Sequence, residues 1–167
     1  MKFKIETGED NKILRARSEE IKLAEISKYA KLWEEMVKYI KNPKNWWVWV
    51  AAPQIWINKR VICTSLMRNR DDENYKTIYM INPEVIEYSW DIITWDEWCL
   101  SVPWVRWDVD RYFRTKVSYL DGKWKNNSII LEWFASCIFQ HEFDHLEGIL
   151  FVDKARNIEK IKSKGQM

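Results

Sequence analysis

Trp133-Phe134-Ala135-Ser136-Cys137-Ile138-Phe139-Gln140-His141-Glu142-Phe143-Asp144-His145-Leu146-Glu147-Gly148 is the stretch on which the reading of the fold turns. Its apolar spacing is helical, with Phe134, Ile138, His141 and His145 on or near one stripe, and Gly148 stands where a helix C-cap glycine belongs. Histidines four apart on a helix leave the same face one turn from each other, which suits two ligands of one metal ion. Glu142, beside the first histidine, is then placed to act as general base on a water at that ion. The chain contains 2 histidines, and they fall at the one spacing this chemistry uses.

A catalytic metal site of this kind takes a third protein ligand and leaves a further position for water. Cys137 lies one turn before His141, but Cys137 to His145 spans about 12 Å of helix at 1.5 Å per residue, too long for one tetrahedral ion. The third ligand should come from elsewhere. Cys99, inside Glu97-Trp98-Cys99-Leu100-Ser101-Val102-Pro103, is the better choice, whereas Cys63 and Cys137 read as small core residues. Val50-Ala51-Ala52-Pro53-Gln54-Ile55 offers a glutamine whose amide could donate to a developing oxyanion.

Outward from these segments, Ile21, Ala24, Ile26, Trp33, Met36, Val37 and Ile40 recur at helical spacing over residues 21–40, and Asn42-Pro43 stops the helix. Short β-rich runs follow at 60–66, 77–81, 84–88, 115–120 and 128–131, with Asn82-Pro83 and Asp121-Gly122 as turn signals. A helix, then strands, then a helix reads as α+β: short antiparallel strands packed around a C-terminal metal-binding helix, plus an N-terminal helix. At 167 residues with no linker or repeat, the expectation is one domain over 1–167. Lys+Arg total 27 against 25 Asp+Glu, which argues against nucleic acid or an anionic membrane as the main partner. The basic residues from Lys154 to Lys164 are interrupted by acids and read as a solvated helix end. Three cysteines and no apolar leader or membrane-length run give the expectation of a cytoplasmic protein without a disulfide framework.

Three segments in order resemble the peptide deformylase family: Ala51-Ala52-Pro53-Gln54, Glu97-Trp98-Cys99-Leu100-Ser101 (tryptophan where the family has glycine), and His141-Glu142-Phe143-Asp144-His145. The opening Ile13-Leu14-Arg15 is similar to the family's Val-Leu-Arg start, so the resemblance spans nearly the whole chain. It implies metal ligation by Cys99, His141 and His145, proton transfer by Glu142, and donors to the formyl oxygen from Gln54 and the backbone N–H of Leu100. It implies one divalent metal ion, Fe(II) before Zn(II), Ni(II) or Co(II). The implied reaction removes the N-formyl group from the initiator methionine of new polypeptides and releases formate. The implied partners are N-formylmethionyl nascent chains and the ribosome near its exit tunnel, the protein itself being a monomer. For Asp144, support of a ligand histidine or a neighbouring backbone group and helix solvation both stay open, and Glu97 pairs with Arg111 either beneath the cysteine loop or at the surface.

The departures from the family pattern share one form. The chain has 12 tryptophans and 4 glycines. Trp49 and Trp98 occupy motif glycines. Trp47, Trp56, Trp104, Trp107 and Trp133 fall where the resemblance leads one to expect glycine, and Trp90, Trp95 and Trp124 sit in turn-like contexts. Trp33, inside a helix, reads as a genuine core residue. Glycine is used where φ is positive or a backbone must approach a ligand closely, so these exchanges are severe. They are the pattern expected when UGA codons that specify glycine are translated as tryptophan. Returning all but Trp33 to glycine would bring the glycine content to about 9%, near the usual share of about 7%.

Two other readings remain at this point. A zinc peptidase also uses His-Glu-x-x-His, but usually takes its third ligand from downstream as a Glu or His, where there is no histidine, Glu147 is too close and Glu159 remains. If the tryptophans are real, the chain could instead be an inactive metal-binding relic.

Overall fold

The computed structural model describes residues 3–42, 49–68, 72 and 75–156. Trp46, Trp47, Pro43, Glu159 and the 157–164 part of the basic run lie outside the described residues. Strand β2 (Val61–Leu66) shows why the core has two sides. Side chains alternate across a strand. Val61 and Cys63 turn to one face, with Val50 of β1 (Trp49–Ala51). Ile62 turns to the other, with Ala51. The first face packs on Leu32, Trp33, Met36 and Ile40 of α1 (Ile26–Ile40). The second packs on Phe139 and Leu146 of α2 (Trp133–Leu146). Because both faces are covered, β2 is buried at every residue but the last and does not alternate between buried and exposed.

β3 (Lys76–Tyr88), β6 (Arg114–Leu120) and β7 (Asn126–Glu132) extend this into a five-stranded antiparallel sheet in the order β1-β2-β3-β6-β7. β4 (Ile92–Cys99) and β5 (Val102–Tyr112) form a separate two-stranded ribbon. Helix α2 touches β1, β2, β6 and β7 of the sheet and also β5 of the ribbon, so it lies wrapped between them. The α+β architecture with antiparallel strands around the histidine-bearing helix is thus as expected.

Three expectations are corrected. The helix begins at Ile26, after a 3-10 turn at Leu23–Glu25, although the apolar spacing starts at Ile21. Asn82-Pro83 is no turn: β3 runs straight through it as a bulge, with Asn82 at φ 47°. The Asn82 side chain accepts from the Ile21 N–H and donates to the Ile21 carbonyl, both at 2.9 Å, which fixes the bulge. Trp95 lies within β4, not in a turn.

Among the described residues, the non-glycine positions with positive φ are Trp56, Asn82, Trp124 and Trp133. A bulky side chain in the left-handed region costs roughly 1–2 kcal/mol. Trp124 also buries its indole Nε1 without a hydrogen-bond partner, and Trp90 is 99% exposed. Trp33, by contrast, is 5% exposed in the α1 core, stacked on Tyr79. Trp56→Gly, at a left-handed residue two-thirds exposed, is therefore expected to stabilise this chain by roughly 1 kcal/mol, read as a higher urea midpoint at constant slope. Trp33→Gly should destabilise it by at least about 3 kcal/mol in the same assay.

Candidate metal centre

Residues far apart in the chain meet where the ribbon crosses α2. Cys99 ends β4 and is 2% exposed, packed among Leu14, Val102, Leu150 and Phe151. His141 and His145 are buried one turn apart on α2, their rings 5.2 Å from each other. Ligand atoms of Cys99, His141 and His145 lie within 4.8 Å of one another, and Cys99 Sγ is 3.2 Å from His145 Nε2. A tetrahedral ion about 2.3 Å from sulfur and about 2.0 Å from nitrogen would hold such a pair about 3.5 Å apart. The three side chains therefore fit one ion with little adjustment. Cys63 and Cys137 are buried in the core, and burial pushes the Cys137 thiol up to about 12.

The electrostatics suit a cation. Burial alone would raise the Cys99 thiol, but the two histidines outweigh it and hold the group well below its ordinary value. Burial pushes Glu142 up to about 7 against the opposing pull of the histidines. Among the described residues, both carboxylate oxygens of Glu142 and Nδ1 of His145 are buried without a hydrogen-bond partner. Buried polar groups in folded proteins are normally paired. A charged, hydrated ligand in front of Glu142 would supply what its carboxylate lacks.

Support for the site runs through one guanidinium. Arg111 on β5 donates to both oxygens of Glu97, at 2.6 and 2.9 Å, and to Asp144 at 2.5 Å. Glu97 in turn lies 2.8 Å from Nδ1 of His141, which leaves Nε2 of that ring for the centre. Asp144 also accepts from Lys154 at 2.6 Å. Glu97 stays at about 2, because Arg111 and His141 overcome the effect of burial. Of the two readings of Asp144, helix solvation is excluded, and the Glu97–Arg111 pair is buried, not superficial. Lys154 carried no sequence signal, since it stood within a mixed-charge run.

Gln54 sits in the 3-10 turn Ala52–Ile55 after β1, 2% exposed. Its Oε1 accepts from the Ala51 N–H at 2.8 Å, which turns Nε2 toward Ser101 Oγ (3.3 Å) and Cys99 Sγ (3.6 Å). The amide is thus oriented as a donor beside the thiolate. Leu100 lies at the β4–β5 turn between Cys99 and Ser101. Ser101, fully buried, was not singled out from the sequence; its N–H donates to Cys99 Sγ at 3.4 Å.

Removing one partner of a buried ion pair strands the others. Arg111→Met should therefore lower stability by about 3–5 kcal/mol in urea unfolding. Arg106→Met, breaking the pair with Asp96 on the exposed part of the same ribbon, should cost about 0–1 kcal/mol.

The polypeptide deformylase family model matches residues 3–161. A peptide deformylase of Cytophaga hutchinsonii is 41% identical over 125 residues, covering 72% of this chain and 66% of that protein. One from Picosynechococcus is 34% identical over 151 residues, covering 88% of this chain and 76% of its own length. Among solved structures, a probable peptide deformylase from synechococcus phage S-SSM7 superposes with a TM-score of 0.79 at 34% identity, over 92% of this chain and 99% of the phage chain. A class I type b peptide deformylase from Acinetobacter baumannii gives a TM-score of 0.81 at 31% identity, with the same coverage. Matched by the family model over nearly its whole length and by relatives more than 30% identical, the chain belongs to the polypeptide deformylase family of hydrolases.

Proposed function

We propose that the protein hydrolyses the N-formyl group of N-formylmethionyl polypeptides, with Cys99, His141 and His145 holding one divalent ion, and that several of its tryptophans stand where the native chain carries glycine. The convergence of the three ligand atoms, together with a buried Glu142 carboxylate that has no hydrogen-bond partner among the described residues, carries the catalytic reading. When bound, the ion supplies a Lewis acid and a water acidic near neutral pH. Glu142 would take a proton from the attacking water as its oxygen adds to the formyl carbon. Gln54 Nε2 and the Leu100 N–H donate to the formyl oxygen as it gains charge. The carbon–nitrogen bond then breaks, Glu142 returns its proton to the departing nitrogen, and formate and a free amino terminus leave. Fe(II) is the ion we assign first; Zn(II), Co(II) and Ni(II) satisfy the same donor set. The ribosome near the exit tunnel is the natural place to meet such substrates, with the protein acting as a monomer in the cytoplasm. No helix among the described residues is long and apolar enough to cross a membrane.

The test is formate release from a formyl-Met peptide by protein loaded with each of the four ions. Glu142→Gln should cut kcat by about 10²–10⁴ while retaining metal. Cys99→Ser should lose the ion. Turnover and metal content both surviving Cys99→Ser would favour the peptidase alternative and overturn this assignment.

The glycine reading is supported by backbone geometry. Trp56, Trp124 and Trp133 take φ values of 69°, 57° and 48°, the region glycine enters without strain. Trp98, beside the metal cysteine, is 42% exposed, and Trp49 packs edge-on to Phe134, two turns before His141. On this reading, glycine at both places would leave more room beside the centre. Peptide mass spectrometry of protein from its natural source should read glycine at 49, 56, 98, 124 and 133. Tryptophan there would mean a real chain with an obstructed approach and would support the relic alternative, to be decided by the formate assay.

A further inference from the structure

The two segments that flank the thiolate come from different layers, Ala51–Gln54 from the sheet and Cys99–Ser101 from the ribbon. The Gln54 side chain reaches between them at 3.3 and 3.6 Å. A third segment crosses both. The Glu6 N–H donates to the Gln54 carbonyl and the Gly8 N–H donates to the Ser101 carbonyl, each at 2.8 Å. Gly8 takes φ +110°, which L side chains rarely adopt, although a Cβ there would meet nothing within 4 Å. The turn that follows is tied down: Asn11 donates to the Glu6 carboxylate at 2.9 Å and its own N–H reaches the Gly8 carbonyl at 3.3 Å.

We infer that this N-terminal strap positions the donors around the Cys99 thiolate, with Gly8 as its positioning residue. By holding the Ser101 carbonyl, Gly8 keeps the Ser101 N–H aimed at Cys99 Sγ. By holding the Gln54 backbone, Glu6 keeps the Gln54 amide in register with the same sulfur. The left-handed glycine is required by direction and not by space, because the strap must turn there to present its N–H to the ribbon. The inference rests on the metal reading above, and the readout is chosen to separate the two.

The experiment uses the full chain loaded with Co(II), whose thiolate charge-transfer absorption reports the sulfur's surroundings. Gly8→Ala and Asn11→Ala are compared with Leu131→Ala, a core truncation on β7 under α2. Gly8→Ala should shift the charge-transfer band and lower kcat about tenfold at nearly constant KM, as a small misplacement of reacting groups does. Asn11→Ala, a milder loosening of the same turn, should move both in the same direction by less. Leu131→Ala should lower the melting temperature and leave the band in place. An unmoved band in both strap variants, or an equal movement in Leu131→Ala, would overturn the strap's role. A wild-type protein lacking any thiolate–cobalt band would overturn the metal reading and this inference with it.

Discussion

Arg111 is the group on which the arrangement of the site depends. Its guanidinium is 2% exposed and binds one carboxylate from its own ribbon, Glu97, and one from the histidine helix, Asp144. Without it, two buried anions would face each other across the seam between ribbon and helix, at a cost of several kcal/mol. With it, they become the means by which β4, β5 and α2 are held in one register. The arginine's planar fork matters, because a lysine could not serve both carboxylates with fixed angles. The same pairing turns Glu97 toward Nδ1 of His141 and so aims the opposite ring nitrogen at Cys99. The ion pair and the ligand geometry are one structure, not two.

The parts of this design visible in the sequence were those written in spacing. His141, Glu142 and His145 declare themselves by helical period, and Gly148 marks the end of the helix, where it takes φ +72°. Cys99, Gln54 and the Glu97–Arg111 pair were legible through motif and chemistry. The β4–β5 ribbon was not, although it carries the cysteine: its inward positions include Glu97 and Arg111, so the period-2 pattern of a strand is broken by the groups that serve the site. Asn82-Pro83 has turn chemistry and so splits β3 in the sequence pattern, while tertiary bonds to Ile21 make it a bulge. The strap around Cys99 acts through backbone N–H groups, which every residue but proline carries and no sequence pattern announces.

The tryptophans separate by environment in a way that composition alone could not show. Trp33 and Trp107 are buried among apolar partners, Trp107 against Phe151 on the ribbon's inner face. Trp56, Trp124 and Trp133 bend the chain at left-handed positions. One amino-acid type thus occupies two kinds of place, one that rewards an indole and one that only a residue without a side chain enters freely.

Cys99 and His145 are 46 residues apart in the chain and belong to different layers. An ion joining them closes a long loop in the same sense as a crosslink, and the entropy it removes from the unfolded chain grows with loop length. On the proposed assignment the cofactor would therefore also be a fastener: loss of the ion would remove the clasp between ribbon and helix together with the chemistry, so the metal-free chain would unfold more readily as well as lose activity.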